Sequence, residues 1–262
     1  MPDPLPVETV SLNTRRVGGP LLVFDEVGST NDLAARSANG PSDDGLTVLA
    51  RQQTAGRGQY GRTWASRPGD SLLLSVVLYP PPEVRRPVVL TALAAVAVAD
   101  TVQSLTGVGP KVKWPNDLLV RGKKVCGILI EQPANGPNPP VIVGIGLNLN
   151  QADADFLAAG LPTASSLFAL CGSPFDPLAV AQVLLTRLDE EYTRLLAGDR
   201  MPLEAAWVRR LGLTGRSVRA DLHDSTSVTG RAQVVGFGGV GLETERGPVV
   251  LRPESIRHLT PA

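Results

Sequence analysis

Two stretches early in the chain are short and apolar. Leu46–Arg51 and Ser71–Tyr79 predict strands, the second buried. Gly28-Ser29-Thr30-Asn31-Asp32-Leu33-Ala34-Ala35 places a hydroxyl residue before helix formers, the signature of a helix start. Proline interrupts at 80–82. Arg86 to Leu105 is then apolar nearly all round and rich in alanine, which predicts a long buried helix ended by Gly107 and Gly109-Pro110. Short strands follow at Lys111–Trp114, Asp117–Val120, Lys123–Gln132 and Val141–Asn148, with a hairpin turn at Arg121-Gly122-Lys123-Lys124 and a loop at 135–140. Asp176–Leu196 has the apolar spacing of an amphipathic helix, and a shorter helix is predicted over Leu203–Arg210. After Gly212 the pattern changes to β-rich pieces at Arg216–Leu222, Val228–Val235, Gly241–Glu245 and Val249–Leu251. These predict a small barrel of about 50 residues that needs a neighbour to pack on. Residues 1–20 read as an N-terminal tail or a short first strand.

Composition narrows the class. The chain has 262 residues, 43% of them hydrophobic, enough for a large core. Lys and Arg (25) balance Asp and Glu (25), which argues against general nucleic-acid binding while allowing a local basic pocket. A helix-turn-helix domain has no room before Phe24. Cys126 and Cys171 read as buried thiols of a reducing compartment, and with only two histidines there is no metal-site spacing. No secretory signal is visible, and the longest apolar run, Val88 to Ala99, is shorter than the about 20 residues that span a bilayer. The expectation is a cytoplasmic protein without membrane association.

Candidate chemistry concentrates in Thr54–Trp64, which holds Gly56, Gly58 and Gly61, Arg57 and Arg62, and Trp64. Glycines permit close backbone approach, arginines bind anions bidentately, and the indole gives a flat wall. The glycines match G-x-G-x-x-G, but no helix opens after them and position 76 is valine, so a dinucleotide fold is rejected. Three further segments carry polar groups: Gly28–Asn31, Lys113-Trp114-Pro115-Asn116-Asp117 with Lys124 beyond it, and Gly144-Ile145-Gly146-Leu147-Asn148. Each has a plain alternative. Ser29 or Thr30 serves equally as a helix cap, and Lys113 with Asp117 as a surface ion pair. Gly144 and Gly146 serve to relieve crowding, and Trp64 and Trp114 to fill a core.

Taken together and in this order, GSTN at 28–31, QTAGRGQYGRTW at 53–64, KWPNDLL at 113–119, GKKVCGILIE at 122–131 and GIGLN at 144–148 resemble the bacterial biotin protein ligases. The resemblance runs from about residue 21 to 260. It is to the short form without an N-terminal DNA-binding domain. It implies an α+β fold: a central mixed sheet flanked by helices, of the class II synthetase-like biotin–lipoate ligase type, followed by a small SH3-like β-barrel. The expected division is a tail at 1–20, a catalytic domain at 21–212 and the barrel at 213–262.

The resemblance also implies the reaction: biotin and ATP form biotinyl-adenylate with Mg²⁺, and biotin passes to a lysine of a biotin carboxyl carrier protein. Lys124, Arg57, Arg62 and Asp117 take the catalytic roles, Asp117 being the one side chain considered for the metal. Ser29, Thr30, Asn31, Gln53, Gly56, Arg57, Gly58, Trp64, Lys124, Gly144 and Gly146 take biotin. Arg62, Lys113, Asn116, Asp117 and Asn148 take the nucleotide. The chain departs from the family pattern at Gln59, where an arginine that orders the loop is usual; looser retention of the adenylate is expected. Phe156 is the one aromatic in Gln151–Leu167 to consider for stacking on adenine. A lipoate or octanoate ligase would need a long apolar slot instead, and the KWPND and GRGxxGRxW segments argue against it. A biotin-sensing repressor that binds DNA is disfavoured by the charge balance.

Overall fold

The computed structural model describes residues 4–133 and 138–262. The sequence-read loop at 135–140 lies partly outside these residues. The chain folds into two sheets. The larger is assembled from β1 (Glu8–Val10), β2 (Leu21–Val27), β3 (Thr47–Gln53), β4 (Ser71–Leu78), β5 (Lys111–Lys113), β6 (Asp117–Val120), β7 (Lys123–Glu131) and β8 (Val141–Asn148). Their spatial order is β1-β2-β3-β4-β8-β7-β6-β5. Only β2 and β3 run parallel; the other pairs are antiparallel, so the sheet is mixed. The first residues, read as a tail or a short strand, supply the edge strand β1.

Alternation along β4 and β8 sorts side chains onto two faces. Leu72, Leu74, Val76 and Leu78, with Val141, Val143, Ile145 and Leu147, enter the main core. That core is covered by α2 (Pro87–Thr106) and α5 (Pro177–Leu196), which pack on each other. The helix α2 is long and apolar enough to cross a bilayer, but it is mostly buried inside the protein. The apolar run ends at Ala99 because Asp100 follows it; the helix continues, and Thr101, Ser104 and Thr106 satisfy their hydroxyls on its own carbonyls. On the opposite face, α1 (Thr30–Ser37) covers Val48, Ala50, Val77 and Ile142. It is the only described helix in that second cluster, so the sheet beyond it is bare enough to form a slot.

After β8 come α3 (Asp153–Ala158) and α4 (Leu167–Cys171), both too short to show a periodic signal. Then α6 (Met201–Leu211) leads into the second sheet. This is built from β9 (Ser217–Leu222), β10 (Ser227–Val235), β11 (Val240–Thr244), β12 (Gly247–Leu251) and β13 (Ile256–Pro261). All its pairs are antiparallel, in the order β12-β11-β10-β9-β13. Strands β2 and β13 were not assigned from the sequence, since each mixes apolar residues with charge. Cys126 is buried as expected, and burial pushes its thiol far up. Cys171 is exposed at the end of α4, contrary to the expectation of two buried thiols.

An aromatic stack ties the two sheets. Trp114 packs at 5.5 Å on Trp207, which packs at 5.5 Å on Phe237. Trp114 Nε1 also donates to the Ile256 carbonyl at 3.1 Å. Trp114 is therefore core, while the turn it begins carries site residues.

Candidate active site

The slot lies on the α1 face of the large sheet, and strand register sets its floor. Gly146 of β8 faces Leu73 of β4 on one side and Gly127 of β7 on the other; Gly127 in turn faces Asp117 of β6. One row beyond, Ser75, Gly144 and Leu129 are neighbours. The two β8 glycines do not leave open space, as the sequence had implied. A Cβ at Gly146 would stand 2.6 Å from the Trp64 indole, and one at Gly144 would run into the Asn31 amide. Each glycine admits a protein side chain. With Trp64 in this position the slot encloses about 60 Å³, room for a handful of waters. The buried Trp64 Nε1 has no hydrogen-bond partner.

Lys124 reaches this face through a β-bulge. The β6–β7 hairpin turns tightly at Arg121 and Gly122, both at positive φ, and its register then shifts between Leu118 and Leu119. The bulge sends both Val125 and Cys126 into the helix-side core and leaves Lys124 on the slot side. Its Nζ lies 2.6 Å from Asp117 Oδ1 and 5.8 Å from the centre of the Trp64 ring. The Lys124 backbone is held by Thr163 and Ser165. Asp117 thus pairs with Lys124. Lys113, its neighbour in the β5–β6 register, is exposed and outside the slot lining.

The entrance to α1 forms the polar wall. Ser29 caps the helix by position, but its hydroxyl makes no capping bond. The Gln53 carbonyl oxygen does that work, accepting from Thr30 N at 2.8 Å and Thr30 Oγ1 at 2.9 Å. Gln53 Nε2 is left beside Gly56, where a Cβ would meet it at 2.9 Å. Buried Ser75 lies 2.7 Å from Thr30 Oγ1 and 2.6 Å from Asn31 Oδ1, with one proton to give. Asn31 Nδ2 donates to Glu131 at 2.7 Å.

Arg57 is not a free cation. Its guanidinium forks onto Asp32 at 2.6 and 2.7 Å, and Nη2 reaches both Glu131 oxygens at 3.2 and 3.1 Å. This hydrogen bonding holds the Asp32 carboxyl below its ordinary range and raises the guanidinium further. Arg62 is exposed and outside the slot lining. Among the described residues, Arg62 and Lys113 have no ion pair. Asn116 lines the slot and ties its turn to β7 by donating to the Ile128 carbonyl at 2.7 Å. Asn148, expected at the nucleotide, instead donates to the Ser165 carbonyl at 2.9 Å, and it is buried away from the slot. Phe156 is buried and does not line the slot either.

A sequence profile of the biotin/lipoate A/B protein ligase family matches residues 23–148. The biotin–[acetyl-CoA-carboxylase] ligase of Mycobacterium tuberculosis is 35% identical over 266 aligned residues, spanning 97% of this chain and 96% of that protein. The chain belongs to the biotin/lipoate A/B protein ligase family. The bifunctional ligase/repressor BirA of Bacillus subtilis is 33% identical over 90% of this chain and 73% of its own length. The fold is similar to that of biotin protein ligase from Aquifex aeolicus in complex with biotin and ATP. That comparison has a TM-score of 0.77 at 26% identity, covering 92% of this chain and 99% of that one.

Within this biotin/lipoate ligase fold, three site residues escaped the sequence reading: Asp32, Ser75 and Glu131. Asp32 and Glu131 sit at the ends of the GSTN and GKKVCGILIE segments, where a charged residue looks like ordinary solvent-facing polarity. Ser75 stands in an otherwise apolar strand that begins with Ser71, and its place inside the apolar run was its only signal.

The glycine loop has a second anchor. Tyr60, at φ 59°, leaves the slot and meets the second sheet. Arg257 lies 4.6 Å from its ring centre, and His258 meets it edge-on at 6.1 Å. Burial, with Arg257, Lys113 and Arg62 adding to it, pushes the His258 pKa down. Tyr60 thus ties the loop to the second sheet from the position beside Gln59. Gln59→Arg is therefore expected to slow ligand escape only about two- to threefold. Tyr60→Ala is expected to speed it about three- to fivefold, the scale of a partly exposed cation–π contact. Stopped-flow dissociation of preformed adenylate from each variant checks both; a Gln59→Arg effect larger than that of Tyr60→Ala would refute Tyr60 as the chief tie of this loop.

Proposed function

We propose that this chain is a biotin–protein ligase that activates biotin with ATP and passes it to a lysine of a biotin carboxyl carrier protein. The observation that carries the reading is Lys124. A bulge turns it onto a glycine-floored slot, where Asp117 and Trp64 hold its ammonium. Joining a carboxylate to the α-phosphate brings two anions together, and a fixed cation is what that step needs. The relatives named as ligases, and the fold shared with a ligase described with biotin and ATP, support the same reading.

In this mechanism Thr30, Ser29 and the Gln53 amide take the ureido group. Trp64 shifts aside to become a wall for the bicycle, since the present slot is too small for it. The orphaned Nε1 of Trp64 then gains a ligand acceptor. A biotin carboxylate oxygen attacks the α-phosphorus, the bond to the bridging oxygen breaks, and pyrophosphate leaves. Lys124 stabilises the charge that builds between the two groups, and Asn116 borders the nucleotide. Arg62 and Lys113 supply positive charge at the outer end. The carrier lysine then attacks the acyl carbon and AMP departs.

Asp117 is a poor metal ligand while its Oδ1 pairs with Lys124. The described residues hold no group of three or more His, Cys, Asp or Glu side chains that suits a metal ion. Mg²⁺ would be held chiefly by the phosphates of ATP, with one or two carboxylates at most from the protein. We place the catalytic unit at 21–212 and a small accessory unit at 213–262, and the protein in the cytoplasm.

The test is direct. The purified chain is expected to release pyrophosphate from ATP only when biotin is present, and to label one lysine of a carrier domain. Equal turnover with lipoate or octanoate would shift the assignment to that branch of the family.

A further inference from the structure

Arg57 sits between two carboxylates at the rim of the slot. We propose that Asp32 and Glu131 make Arg57 a positioning residue, a pin that fastens the glycine loop to helix α1, and not one of the cations that meet phosphate.

Charge supports this first. Two carboxylates, Asp32 and Glu131, face the Arg57 guanidinium, and Arg36 also acts on Asp32, so the cluster offers a polyphosphate no net positive charge. Geometry agrees. Both terminal nitrogens of Arg57 are already bonded, Nη1 to Asp32 and Nη2 to Asp32 and Glu131. A fork matched to a carboxylate in this way is a fastening that a lysine cannot reproduce.

Position says what is fastened. Arg57 pairs with Thr63 across the loop, Gly58 N donates to the Arg62 carbonyl at 2.7 Å, and Trp64 N donates to the Gly56 carbonyl at 2.9 Å. Fixing Arg57 therefore fixes the backbone from which Trp64 reaches the slot, while the indole itself turns aside for the ligand. Glu131 has a second task. It receives Asn31 Nδ2 at 2.7 Å, and the Asn31 amide occupies the space over Gly144. The chain of contacts runs from the loop through Glu131 and Asn31 to Ser75 and Thr30, that is, to the wall assigned above to the ureido group. The pin acts on the biotin half of the site.

This inference rests on the assignment of the slot to biotin. The experiment measures pyrophosphate release by full-length protein while biotin and ATP are varied separately. Glu131→Gln and Asp32→Asn are each expected to raise the biotin KM roughly five- to fiftyfold, the worth of charge-assisted bonds at a partly exposed site. The ATP KM and kcat are expected to stay within about twofold, less than one screened ion pair is worth. Arg57→Lys keeps the charge and loses the fork, so it is expected to raise the biotin KM as Arg57→Met does. If Arg57 is a phosphate cation instead, Arg57→Lys will resemble wild type. Removing either carboxylate will then free the guanidinium and lower the ATP KM with the biotin KM unchanged. That pattern overturns the pin. An unchanged biotin KM in both carboxylate variants of an active protein overturns it too, whereas a wild type without biotin-dependent release overturns the proposed function. If Asp32→Asn does not fold, Glu131→Gln, at a strand end, reads the same coupling.

Discussion

Lys124→Met is expected to cut the rate of adenylate formation about 10²–10³-fold, the usual consequence of losing one preorganised charge at a reacting centre. Biotin binding should change far less. The ammonium's surroundings set this split. Its side chain is one-third exposed, but Nζ is fixed by Asp117 at 2.6 Å and by the Trp64 face. One of its three protons goes to Asp117, and two remain for oxygens in the slot. In the binding mode proposed above, biotin is held in the ground state mainly through its ring, by walls and ureido contacts that the substitution leaves alone. Charge between carboxylate and phosphate builds only on the way to the transition state, and there a fixed cation matters most. Methionine keeps the length of the stem over Trp64, so packing is largely preserved. Single-turnover adenylate formation and equilibrium biotin binding, measured on the same preparation, check the split. A fall of less than about fivefold, the scale of a screened surface ion pair, would return Lys124 to the status of a surface lysine.

Asp189→Ala is expected to have the largest effect on stability, a loss of about 3 kcal/mol. Asp189 is a buried carboxylate of α5, and it accepts three successive backbone N–H groups: Arg15 at 2.9 Å, Arg16 at 2.7 Å and Val17 at 2.9 Å. Alanine would leave those donors unpaired where Val17 is fully buried. The same contact places the segment that leads into β2, so β1 should loosen with it. For a chain of this size the loss corresponds to a drop of roughly 6–12 °C in Tm. Asp189→Asn keeps the shape but puts a donor against donors, so it should recover only part of the loss. Thermal unfolding followed by circular dichroism measures both, and limited proteolysis reads the loosening before residue 20. A Tm within about 2 °C of wild type, the scale of an ordinary surface substitution, would show that water replaces the carboxylate without penalty.

Local order was legible because it is set by neighbours along the chain. The largely apolar run at Ser71–Leu78 reads as a strand buried on both faces, and all eight residues are buried. The all-round apolar stretch of α2 could only be a core helix, and Gly107, at φ 73°, ends it as a left-handed residue does. The ordered motifs were legible for the same reason: each is a short run whose spacing is visible directly.

What the sequence could not contain was the choice of partner through space. Whether Lys123 or Lys124 serves the slot depends on a bulge in the pairing of β6 with β7, since one extra residue exchanges the faces of a strand. Arg57 looked like a phosphate cation until the fold brought Glu131, 74 residues away, against it. The glycines of β8 looked like room for a ligand, and register shows that Asn31 and Trp64 use that room. Asp189 drew no reading from the sequence, and a segment 172 to 174 residues distant covers it. By itself the sequence determined the kinds of element and the set of chemical groups, because sterics and periodicity act over a few residues. Tertiary structure alone decided which face each group takes and which charge neutralises which, because burial and electrostatics act through space on groups the chain keeps far apart.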